Sequence, residues 1–336
     1  MKNNRKTLFY FSICACLLLL PIITSAYIER TTGGSLIAEV SPSSPKPGEM
    51  VEIALSGYGF NIDTSQITWV VNNEIQAEGV GLKNFTFRVG EIGSINSVHT
   101  LVESRNNRNL VKNIVFRPAE VSLLMEADTY VPPGYKGARL PSPSSLVKVV
   151  AKPNFVINGN KLNSEDLNFQ WRRNGTIIES GRGADVLVYN INNDGLEERV
   201  EVLVSAPNYG SRATETIIIR PVDPEVLIYE NRPLIGTNHN QMIPEKINLV
   251  SNVISLKAEP FYFPGHVLNR LIGFRWLLNG NVIQPNTSNP TQITLQRPVE
   301  ASGSAIIRVD AVNTINSRIN SHREIEVFFG SNFSEF

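Results

Sequence analysis

Apolar and polar positions alternate with period two through most of this chain, and no stretch beyond residue 26 sustains a helical period. Val51-Glu52-Ile53-Ala54-Leu55-Ser56-Gly57, Val147-Lys148-Val149-Val150-Ala151-Lys152-Pro153 and Ile254-Ser255-Leu256-Lys257-Ala258-Glu259-Pro260 each offer one face to a core and the other to water. The first run closes on Gly and the other two on Pro, which lack a side chain or an N–H and are expected to end the ladder. Alternation returns at residues 85–89, 186–189 and 293–295, then at 98–102, 200–204 and 305–309. Closing edge strands are expected at 113–116, 216–219 and 324–329. Six or seven short strands per repeat, separated by turn residues, predict antiparallel two-sheet sandwiches.

The repeat unit is marked by tryptophan. Trp69, Trp171 and Trp276 share one phrase, apolar-x-Trp-x-x-Asn-(Asn or Gly): Ile67 to Asn73, Phe169 to Gly175 and Phe274 to Gly280. Their separation matches the length of one sandwich domain. A Trp on an inward-facing strand fills the space between two sheets and dominates the core by area. Asn174-Gly175 and Asn279-Gly280 supply the two positive-φ positions of a two-residue hairpin. Such a loop pairs each Trp with the residue seven further on, which is Ile178 or Ile283 but Gln76 in the first copy, so repeat one has a longer loop or that pair lies at an edge. Arg117-Pro118 and Arg220-Pro221 follow the closing strands. The expected division is therefore a signal peptide or signal anchor at 1–26 and immunoglobulin-like domains at 36–117, 118–221 and 222–330. Short, proline-bearing linkers predict a rod on the order of 100 Å long.

Residues 1–26 combine a basic start (Lys2, Arg5, Lys6), low polarity over 8–24 and a small-residue end at Thr24-Ser25-Ala26, the pattern of a secretory signal with cleavage after Ala26. The alternative is an uncleaved anchor, since the stretch is at the short edge of what spans a bilayer. Both cysteines, Cys14 and Cys16, lie inside it, so the exported part can form no disulfide. Lipidation at Cys16 is disfavoured by the leucine run that follows. Removing the three basic residues of this segment leaves 28 Lys+Arg against 31 Asp+Glu, which is no footprint for nucleic acid or an anionic lipid surface.

Val40-Ser41-Pro42-Ser43-Ser44-Pro45-Lys46-Pro47-Gly48, Tyr130-Val131-Pro132-Pro133-Gly134-Tyr135-Lys136-Gly137, the Phe169 to Gly175 phrase and Pro221-Val222-Asp223-Pro224 resemble bacterial immunoglobulin-like and PKD-type domains. The chain from about residue 40 to 329 is also similar to a family of exported tandem-domain proteins of small-genome bacteria, some encoded beside pilus genes. The Gly-Asp-Gly that PKD domains carry after the Trp strand is missing, so no PKD binding residue transfers. The resemblance implies no catalytic residue.

Chemistry is sparse. His99, His239, His266 and His322 are isolated, His99 in an alternating strand and the others in polar stretches read as loops, with no metal or nucleophile spacing. Asn190, Asn192, Asp194 and Glu201 overlay a calcium-loop pattern with Asn in place of the first carboxylate. The flanks read as strands, so a plain turn explains the same residues. Tyr130 and Tyr135, in a proline-bearing insertion over 130–145, and Phe261 and Tyr262, after the third Ala-x-Pro strand, form a contact surface if both clusters face outward. The sequons at Asn84, Asn174, Asn286 and Asn332 read as chance in an Asn-rich chain. The expectation is an all-β, non-catalytic exported structural or interaction protein without cofactor. Its partner would be a protein or glycan at the cell envelope, and it would touch membrane only through an uncleaved N-terminal segment. The alternative is a carbohydrate-binding accessory module with exposed aromatic rows. An enzyme would need His and carboxylates converging from two domains.

Overall fold

The computed structural model describes residues 34–330 apart from 105–107, 233, 266–270, 286–287 and 298–300, so the expected signal segment lies outside the described residues. Among the described residues no helix is long and apolar enough to cross a membrane.

Three two-sheet sandwiches follow one another. The first contains β1 (Ser35–Ser41), β2 (Met50–Tyr58), β3 (Gln66–Val71), β4 (Glu74–Val80), β5 (Asn84–Arg88), β6 (Asn96–Ser104) and β7 (Arg108–Phe116), in sheets β1-β2-β5 and β4-β3-β6-β7. The second contains β8 (Glu120–Asp128), β9 (Leu146–Asn154), the small hairpin β10 (Val156–Ile157) and β11 (Asn160–Lys161), β12 (Asn168–Arg173), β13 (Thr176–Arg182), β14 (Val186–Asn190), β15 (Glu198–Ala206) and β16 (Ser211–Ile219). Its sheets are β14-β9-β8 and β13-β12-β15-β16. The third contains β17 (Glu225–Arg232), β18 (Gly236–Met242), β19 (Lys246–Asn248), β20 (Val253–Phe261), β21 (Ile272–Leu278), β22 (Asn281–Ile283), β23 (Gln292–Gln296), β24 (Gly303–Asn313) and β25 (Asn320–Phe329). Here β18-β17-β20-β23 packs on β19-β25-β24-β21-β22. Each sandwich has its own apolar core, and this all-β architecture is immunoglobulin-like.

Trp69, Trp171 and Trp276 are fully buried. At ~25 cal/mol per Å2, an indole burying roughly 150–250 Å2 contributes about 4–6 kcal/mol of transfer free energy. Each indole N–H stays paired. Trp69 Nε1 donates to Leu82 O (2.8 Å), Trp171 Nε1 to Ala184 O (2.8 Å) and Trp276 Nε1 to Pro290 O (3.1 Å).

The recurrent Asn has a structural job that the sequence pattern did not disclose. Asn72, Asn174 and Asn279 all adopt φ 50, and Asn73, Gly175 and Gly280 follow at φ 70, 83 and 80, as a two-residue hairpin turn requires. The same Asn clamps the neighbouring strand. Its Oδ1 accepts the N–H of Ser97, Arg199 or Ile306 at 2.8–2.9 Å, and its own N–H donates back to the carbonyl of that residue. Asn meets the backbone and side-chain demands at once, which Gly or Ser would not.

Several expectations are corrected. The first copy has no longer loop: Val71 pairs with Glu74 around Asn72-Asn73. Its Trp69 faces Ala77, and Trp171 faces Glu179, because a bulge after each Trp adds one residue; only Trp276 pairs seven on, with Ile283. Pro153 and Pro260 do not end their strands but pair with Val121 and Val226. The N–H of Ala151 bonds Asp185 O and that of Ala258 bonds Thr291 O. Two residues on, the missing donor points to the same side, beyond the last pair with β14 or β23, where nothing needs it. The closing strand β25 is not an edge, since β19 pairs parallel to it. His239 and His322 sit on β18 and β25 rather than in loops.

A charged residue recurs in each Trp row. Trp69 lies level with Thr100 and Lys112, Trp171 with Val202 and Glu215, and Trp276 with Val309 and Arg323. The last strand of each sandwich thus turns one charged residue toward the face of its sheet that carries the Trp.

Candidate interaction site at the module junctions

The second and third modules meet through loop 129–145 and loop 261–265. Tyr130 N–H donates to Phe263 O (2.8 Å), Tyr262 N–H to Tyr130 O (2.7 Å) and Gly265 N–H to Asp128 O (2.9 Å), around a bridge between Thr129 and Pro264. Tyr262 takes φ 60, a left-handed backbone that costs a residue with a β-carbon roughly 1–2 kcal/mol. There its hydroxyl lies 3.0 Å from that of Tyr135, while the Tyr135 ring stands edge-on to Phe261 at 5.5 Å. The two aromatic clusters therefore face each other, with Tyr135 at the solvent edge. Tyr130 and Phe261 are buried, and Tyr135 alone of the four is exposed. Sequence reasoning could not join them, because 127 residues separate the paired hydroxyls.

Beneath this contact is a buried carboxylate. Glu259 Oε1 takes Lys257 Nζ at 2.6 Å and His239 Nε2 at 3.1 Å, and the His239 ring packs against Tyr229. A carboxylate only accepts, so Nε2 carries the proton in this contact. Burial, then the Glu259 charge, pushes Tyr130 up to about 12. Burial and the Tyr135 hydrogen bond push Tyr262 up to about 12 as well, and burial followed by Glu259 raises Tyr229. His239 and Glu259 belong to one module, and the Lys257 ammonium and the His239 ring meet the same carboxylate oxygen, which is how a charge is compensated for burial.

The first and second modules meet differently. Lys46 Nζ reaches Glu215 Oε2 at 2.7 Å, Arg117 Nη1 donates to Tyr209 O (2.8 Å) and Ser211 Oγ to Arg117 O (2.8 Å). Gly93, at φ 84, lies against Val156, whose Cγ1 would be 3.1 Å from an added Cβ. The Glu215 bond raises Lys46. Burial pulls Glu215 upward, but the Lys46 hydrogen bond, the Thr216 N–H and the Lys46 charge leave its carboxyl below the ordinary value.

The calcium candidates are not assembled into a cage. Asn190 ends β14, and Asp194 Oδ1 accepts the Leu196 N–H (3.1 Å) as a local turn bond. Asn192 N–H bonds buried Glu198 Oε1 (3.0 Å), while Glu201 pairs with Arg172 (3.2 Å) and Arg199 (3.8 Å). Among the described residues no group of three or more His, Cys, Asp or Glu could hold a metal ion. Among the described residues the exposed tyrosines are Tyr58, Tyr135 and Tyr209, in different loops and strand ends, and they form no row on a sheet face.

No protein-family model matches the chain, and no curated protein matches it. Among solved structures it is similar to the three N-terminal domains of the bacteriophage RB49 highly immunogenic outer capsid protein, with TM-score 0.26 and 11% identity over 90% of this chain and 100% of that one. It is also similar to the central fibronectin-III array of RIM-binding protein, with TM-score 0.31 and 9% identity over 89% and 96%. A bacterial ice-binding adhesin gives TM-score 0.24 and 8% identity over 89% and 98%. The likeness is low in all three, and the strand pairing itself defines the fold.

Proposed function

We propose that this chain is a non-catalytic structural and interaction protein. It is exported by its N-terminal segment and presents three coupled sandwiches to a protein or glycan at the cell envelope. The observation that carries this reading is the second junction, where backbone pairing around Tyr130 and a tyrosine pair seated by a left-handed Tyr262 fix one module on the next. Catalysis has no such support, since the Glu259 carboxylate that the exposed His239 reaches is also held by Lys257 at 2.6 Å.

Small-angle scattering tests the coupling. The chain should give one extended profile that stays constant with salt at the second junction and loosens in a Tyr130→Ala variant. A wild-type profile of freely jointed beads would sink the reading. Mass spectrometry of the native N-terminus tests export, for which a chain starting at Tyr27 is expected. A glycan array with wild type and Tyr135→Ala separates protein from sugar as partner; Tyr135-dependent capture of a glycan would favour the sugar.

A further inference from the structure

The last strands β7, β16 and β25 can be aligned through the Trp rows, where Lys112 and Arg323 take equivalent places. Val115, Phe116 and Arg117 of the first module then correspond to Glu326, Val327 and Phe328 of the third. In the third module these residues carry β19, in register Lys246–Glu326, Ile247–Val327 and Asn248–Phe328. Glu326 N–H donates to Glu245 O (2.7 Å), Leu249 N–H to Phe328 O (2.7 Å), and Ile247 packs against the core.

Counting back from Leu55 and Ala258, whose N–H groups make the matching bond to the neighbouring loop, aligns Ser43, Ser44 and Pro45 with Lys246, Ile247 and Asn248. Ser44 thus stands where the third module inserts Ile247, and Pro45 has no N–H to give. Among the described residues no backbone hydrogen bond joins 43–45 to 114–117, whereas in the second module Val222 N–H closes the corresponding seam onto Pro141 O (2.8 Å). The open seam is a cleft of about 270 Å3, lined by Val40, Ser44 and Pro45 against Val115 and Phe116, with Arg212 of the second module beside them. That is below the ~300 Å3 at which small-molecule pockets begin, so it suits one or two side chains. Its rim is basic. Arg117 donates to a neutral carbonyl and Arg212 is exposed, and neither lies within ion-pair distance of a carboxylate among the described residues.

We propose that this cleft binds an extended segment of a partner protein as an added strand parallel to β7, with an apolar side chain in the cleft and a carboxylate beside Arg117 and Arg212. The mode is strand addition to a sheet edge, and it rests on the interaction reading above. The third module's own β19 supplies the template, and the basic rim sets the preferred charge.

The probe is a labelled peptide of residues 243–250 carrying Lys246→Glu, titrated onto the full chain by fluorescence anisotropy, with hydrogen exchange mapping its position. Binding should slow exchange over 110–117. Ser44→Ile, which plugs the cleft as Ile247 does, should weaken binding by roughly tenfold or more, and so should Val115→Pro, which removes the edge N–H. The unsubstituted peptide, with Lys246 at the basic rim, should bind more weakly. Absent binding, protection elsewhere, or an unaffected Ser44→Ile variant would each overturn the proposal. Self-association of the chain that Ser44→Ile abolishes would overturn the assignment to a separate partner. Loss of peptide binding with the scattering profile intact would leave the coupled-module reading standing, so the two failures are distinguishable.

Discussion

The two junctions join similar sandwiches by opposite means. Between the first and second modules the ion pair lies open to solvent, with Lys46 57% and Glu215 30% exposed, and such pairs contribute about 0–1 kcal/mol. Between the second and third, Tyr130 and Phe261 are 6% and 7% exposed, and burying a large apolar side chain contributes roughly 1.5–3 kcal/mol. The difference teaches where the chain yields. Bending should concentrate at the first junction, which is also where the seam is open, while the last two modules move together.

The harshest way to break this contrast is to remove the module both junctions share. Trp171→Ala should cost about 3–5 kcal/mol and show as an early urea transition, with the first and third cores melting at their own midpoints. Phe261→Ala strikes one side only. A loss of roughly 2–3 kcal/mol in the third module, with hydrogen exchange rising in 129–135, is expected, while exchange at 43–48 stays unchanged.

Tyr262→Phe sharpens the comparison by removing one hydroxyl pair, for about 0.5–1.5 kcal/mol. The same junction should be sensitive to alkali. Tyr130 and Tyr262 are raised from 10 to about 12, so their contribution is complete below pH 10 and is lost as pH rises through about 12. The smallest effect belongs to Lys46→Ala, at most about 1 kcal/mol and smaller still in high salt. Because Glu215 is depressed below 4.5, its contribution is present above that pH and lost as pH falls through the folded value. Scattering across both ranges should therefore loosen the first junction in acid and the second in alkali, and Glu215→Gln should remove the acid step alone. An acid step that survives Glu215→Gln would show that other groups hold that junction.

Local pattern carried the fold a long way. Alternation at Val51 to Leu55 or Val147 to Ala151 reads directly as a half-buried strand, and a Trp-x-x-Asn-Gly phrase reads as a core residue followed by a tight hairpin. What stayed hidden depends on neighbours. The bulges after Trp69 and Trp171 leave no mark in the alternation, and a Pro within a strand is tolerated only once the missing partner on that side is known. Strand β19 is three residues long, too short for any period. The candidate site was half legible. Tyr130, Tyr135, Phe261 and Tyr262 stood out as aromatic clusters, but their mutual contact is a tertiary fact that rings alone do not encode.

Lys112, Glu215 and Arg323 bear on synthesis as much as on the finished molecule. Tandem modules of like topology can exchange strands while the chain is emerging, a characteristic failure of repeat proteins. Here the final strand of each copy brings a charge of different sign or length to the layer beside its indole. A strand borrowed from the neighbouring copy would bring a charge of the wrong sign to that layer, so adjacent units are not interchangeable at this position.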